Sequence, residues 1–131
     1  MADTVTSQVL FAGTKKRSVK LTNVSDGTGE SDVVKVDVSA LTGPDGSAPT
    51  SATVEEIWWD IQGFTSVRLE WDATTDDPIA FLSGTGYLDF TQLGGARDPK
   101  STGTTGDIML TTAGAVSGAT YTIVLVVRLE D

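Results

Sequence analysis

The chemistry open to this chain is carboxylate chemistry. Its 131 residues include eighteen Asp and Glu and nine Lys and Arg, with neither His nor Cys. Without those two residue types, the hydroxyl–His and thiol–His arrangements of nucleophilic catalysis cannot be assembled, and thiolate metal sites are equally out of reach. No phosphate-binding loop, dinucleotide fingerprint or nucleophile-elbow motif occurs. Two acidic stretches remain, one carrying Asp26, Glu30 and Asp32, the other Asp72, Asp76 and Asp77. In principle a carboxylate pair can hydrolyse a glycoside and a cluster of oxygens can hold a hard cation. Neither stretch has the ligand spacing of an EF-hand loop, so solvated turns are the expected reading. No catalytic residue, metal ligand or cofactor is assigned.

The cations are few and grouped. Lys15, Lys16 and Arg17 are consecutive, and Arg97 and Lys100 share a Gly-rich stretch between 94 and 106. A basic run of this kind is ordinarily a solvated sheet edge, and its sharper reading is a patch that docks on an acidic partner. The whole chain carries a formal charge of -9 and a pI near 4.2, so its average field repels phosphate backbones and anionic lipid headgroups. Nucleic acid and membrane surfaces are therefore not expected partners. No run approaches the roughly 18 apolar residues of a membrane span.

Aromatic chemistry is concentrated in one place. Trp58, Trp59 and Trp71 lie within fifteen residues. If 53–62 and 66–72 are strands paired as a hairpin around Gly63, then Ile57, Trp59, Ile61, Val67, Leu69 and Trp71 share one apolar surface. Trp59 and Trp71 are then core residues. Trp58 falls on the opposite face beside Glu56 and Asp60, where it is either an interface anchor or covered within the chain.

These residues must be positioned by strands. Nearly every apolar segment alternates with a period of two and is bounded by Gly, Asp, Ser or Pro. Strands are expected at 4–11, 16–24, 33–40, 53–62, 66–72, 78–83, 86–91, 106–112 and 119–129, with no long helix. Eight to nine short strands predict a single all-β domain over residues 1–131, an antiparallel β-sandwich of jelly-roll type with a short N-terminal arm of about residues 1–12. The final strand, 121–129, is apolar on both faces and should be central in a sandwich or covered by another subunit.

Several segments carry a family resemblance. They are 21–41 (LTNVSDGTGESDVVKVDVSAL), 69–76 (LEWDATTD), 86–90 (GYLDF), 106–112 (GDIMLTT) and 117–125 (SGATYTIVL). Together they resemble a family of small virion structural proteins of tailed bacteriophages, frequent in marine phages. The segment 59–64, the Asp77–Pro78 pair and the loop 43–49 depart from that pattern. The resemblance implies a capsid decoration or cement protein on the outside of the head, assembled in the host cytoplasm. Its implied partners are the major capsid protein and further copies of itself, as a homotrimer. Lys15, Lys16, Arg17, Trp58, Arg97 and Lys100 would serve the capsid or subunit interface. A tail or fibre-associated protein that binds host glycans through Trp58 is the alternative.

Overall fold

The computed structural model describes residues 3–130; the first two residues of the expected arm and Asp131 lie outside them. The period-two segments form strands β1 (Thr4–Ala12), β2 (Lys16–Asp26), β3 (Val33–Val36), β4 (Ser51–Gln62), β5 (Ser66–Trp71), β6 (Asp77–Leu82), β7 (Thr85–Asp89), β8 (Ile108–Ala113) and β9 (Ser117–Glu130). They pair antiparallel into two sheets, one ordered β1-β2-β9-β4-β7 and the other β3-β8-β5-β6. The fold is all-β, a two-sheet sandwich. Among the described residues no helix is long and apolar enough to cross a membrane.

Alternation decides which side chains meet between the sheets. Leu21, Ile57, Ile123 and Leu125 from the larger sheet face Val67, Leu69, Ile108 and Leu110 from the smaller, all fully buried. β9 is central in its sheet, which satisfies the expectation for a strand apolar on both sides: Tyr121, Ile123, Leu125, Val127 and Leu129 enter the core, while Val124 and Val126 are half-buried outside. The described part of the expected arm is the edge strand β1, paired with β2 from Thr4 to Ala12.

Two local expectations are corrected. β4 and β5 are not a hairpin: β4 pairs with β9 and β7, and β5 with β8 and β6. Gly63, at φ +86°, turns the chain from one sheet into the other, so the apolar faces of β4 and β5 oppose each other across the core. The expected strand 33–40 stops at Val36. Asp37 Oδ1 accepts the Ser39 amide at 3.0 Å and starts a short 3-10 turn, the local competition with the ladder that Asp favours.

Trp71 is core as expected, with 4% exposure. Trp59 points to the core side but is only half-buried, because β7 is the last strand there. Its indole lies on Gly86, where a Cβ would sit 2.4 Å from the ring, and its Nε1 donates to the Ser83 carbonyl at 2.9 Å.

Candidate interaction surface and carboxylate cluster

The outer face of the five-stranded sheet gathers three of the six sequence candidates, Lys16, Trp58 and Arg97. Trp58 is opposite Tyr87 on β7 and Val124 on β9. It is neither buried nor covered by a second layer: 41% of it is exposed, and its ring stacks on Tyr87 with centroids 4.8 Å apart at 22°. The Tyr87 hydroxyl donates to Glu56 Oε1 at 2.8 Å, and this bond to a carboxylate pushes its pKa up to about 12. Thr85 donates to Asp60 at 3.0 Å on the same face. An aromatic pair therefore stands in a rim of hydrogen-bonding carboxylates. Because the stack adds only cross-strand contact, Trp58→Ala should lower stability by less than about 1.5 kcal/mol in a denaturant melt.

The basic run does not act as one patch. Successive strand residues point to opposite faces, so Lys16 is on the outer side while Arg17 turns inward, half-buried beside Leu41; Lys15 stands exposed in the turn. Lys16 Nζ reaches Glu55 Oε1 at 3.1 Å. Arg128 bridges Glu55 at 3.5 Å and Glu130 at 3.0 Å, and Arg97 approaches Glu130 at 4.0 Å. Lys16 and Arg97, far apart in sequence, thus join one ion-pair chain on the outer face. Lys100 lies apart, its Nζ 3.4 Å from Thr50 Oγ1.

The Gly-rich stretch 94–106 is tethered rather than free. Ala96 exchanges two backbone hydrogen bonds with Val54, and the buried Asp98 accepts from the Lys100 amide and Thr104 hydroxyl, each at 2.8 Å.

On the outer face of the smaller sheet, the fold joins the two acidic stretches. Asp32 and Asp76 converge on Glu70, with one carboxylate oxygen of each of the three within 4.8 Å of the others. Glu70 is 1% exposed and was not singled out from sequence, where its neighbours Arg68 and Trp71 present it as an outward strand residue. Arg68 Nε lies 2.9 Å from its Oε2, and the Thr111 hydroxyl spans Glu70 Oε1 at 2.9 Å and Asp32 Oδ1 at 3.1 Å. Burial pushes the Glu70 pKa up, and its hydrogen bond to Asp32 adds to this; that same bond holds Asp32 down.

The arrangement pins the β2–β3 loop to the sheet and has a pH signature. A raised folded pKa means stability is fully present below the ordinary Glu range and lost as pH rises through the shifted value. Glu70→Gln should cost less than about 1 kcal/mol at roughly pH 5 and should flatten the decline as pH rises above the ordinary Glu range. Urea midpoints along that rise in pH check both statements.

Comparison of the chain with protein-family models, curated proteins and solved structures yields no match.

Proposed function

We propose that this chain is a structural component of a bacteriophage particle, a decoration protein that binds the outer surface of the head and stabilises contacts between major capsid proteins. The observation that carries the reading is the strand order. β2-β9-β4-β7 against β3-β8-β5-β6 is consistent with the winding of an eight-stranded jelly roll, with β1 added at one edge, an architecture used by viral capsid and lectin domains. The resemblance of 21–41, 69–76, 86–90, 106–112 and 117–125 to phage virion proteins points the same way. The acidic charge suits an exterior position away from packaged DNA. The role is non-catalytic: many copies each bridge neighbouring subunits and add modest stabilisation repeatedly.

The ratio of this chain to the major capsid protein in purified particles tests the proposal. A ratio near one, or matching the threefold-like positions of the shell, supports decoration. A handful of copies places the chain in the tail, and absence from particles removes the virion reading.

The Trp58–Tyr87 pair with Glu56, Asp60 and Thr85 around it favours a second reading, a tail-associated glycan binder, since aromatic faces stack on sugar rings and carboxylates accept from their hydroxyls. Host polysaccharide binding that disappears in Trp58→Ala, with the fold intact, would select it.

A further inference from the structure

Strand β1 is exposed along its whole length and bonds to β2 on one side only. The other sheet edges are blunted. β3 has four residues, β7 has five and ends on Asp89, and β6 carries Asp77 and Pro78. β1, TVTSQVLFA, has nine residues with no charge and no Pro, the kind of edge that invites another strand unless something covers it.

Its side chains say what covers it. A bulge between Val9 and Phe11 leaves Thr4–Val9 as the regular segment. There Val5, Ser7 and Val9 lie opposite the buried Asn23, Leu21 and Val19, on the core side of the sheet. Yet Val5 is 43% exposed and Val9 44%, because the smaller sheet ends at β3 and leaves an open cleft between Val9 and the Val36–Leu41 segment. The core side of this edge is unfinished.

We infer that β1 of two copies pair antiparallel about a two-fold axis at Ser7, joining two five-stranded sheets into one of ten strands. Residues directly opposite in an antiparallel ladder share a face, so a two-fold normal to the sheet must lie at a residue. With Ser7 on the axis, Val5 of each copy meets Val9 of the other on the core side, while Thr6 meets Gln8 outside. Charge supports the same partner. Residues 4–24 hold four of the nine cations, Lys15, Lys16, Arg17 and Lys20, and none of the eighteen acids. The antiparallel arrangement carries the basic turn of one copy toward the Asp3 and Asp26 end of its mate and keeps the two basic turns far apart. At most other faces, two chains of charge -9 repel. The inference does not rest on the capsid reading, and its two-fold seam differs from the threefold assembly implied by the family resemblance.

The chain has no cysteine, so a single introduced thiol reports the seam. Opposed Cβ atoms lie about 4.5–5.5 Å apart, close enough for a disulfide after small adjustment. Ser7→Cys should give a disulfide-linked dimer under mild oxidation, and Thr85→Cys on the opposite edge of the sheet should stay largely unlinked. A mixture of Val5→Cys and Val9→Cys should cross-link more than either alone. The unmodified chain should sediment at twice 13.7 kDa. Ser7→Glu, which places two carboxylates at the axis, should weaken the dimer at least about tenfold without altering the circular dichroism of the dilute chain. A monomeric or trimeric mass, or Ser7→Cys cross-linking no faster than Thr85→Cys, would overturn the pairing.

Discussion

Trp71→Ala should lower the unfolding free energy by about 3–5 kcal/mol. The indole is 4% exposed at the end of β5, opposite Ile108 on β8, and its Nε1 donates to the Ala52 carbonyl at 3.1 Å from the facing sheet. Truncation therefore opens a cavity between the sheets and strands a buried carbonyl, two costs that add. Trp71→Phe separates them, keeping most of the apolar area while losing the hydrogen bond, and should cost about 1–2 kcal/mol. Trp59→Ala should fall below Trp71→Ala, since half-burial removes less surface from water. Guanidinium unfolding of the three variants gives the ordering, and a Trp71→Ala loss under about 1.5 kcal/mol would show that the sheets close over the gap.

Strand positions were legible because sheet period and side-chain polarity coincide over most of the chain. Val19-Leu21, Val67-Leu69-Trp71 and Tyr121 through Leu129 alternate cleanly, and each enters the core where alternation placed it. Pairing was not legible. Adjacent segments such as 53–62 and 66–72 read as a hairpin on local grounds, and only long-range packing assigns them to different sheets. Bulges were equally hidden, since one extra residue resets the alternation without a composition signal. They matter here because they aim charges. Lys35 is the unpaired residue between Val34 and Val36 on β3, and Glu55 sits between Val54 and Glu56 on β4. Each forms ion pairs that strict alternation would not place. Trp58 was readable as the odd aromatic on a polar face, but its stacking partner Tyr87 was not, because nothing local joins β4 to β7. The Asp32–Glu70–Asp76 cluster likewise requires the β2–β3 loop to fold onto the smaller sheet.

Lys35→Met should cost about 3–5 kcal/mol near neutral pH, a loss comparable with the tryptophan although no cavity is made. Lys35 Nζ lies 2.6 Å from Glu30 Oε2, with both side chains at most 7% exposed. The other oxygen, Glu30 Oε1, accepts from Asn23 Nδ2 at 2.8 Å and from the Tyr121 hydroxyl. Burial and that carboxylate hold the Tyr121 hydroxyl protonated far into the alkaline range. Removing the ammonium leaves a carboxylate out of water with two neutral donors and no countercharge, and the desolvation cost then stands nearly alone. Adding Glu30→Gln to Lys35→Met removes the stranded charge while keeping a group for Tyr121 and Asn23, and should recover more than about half of the loss. No recovery in the double variant would mean that the lysine contributes through its alkyl packing rather than its charge.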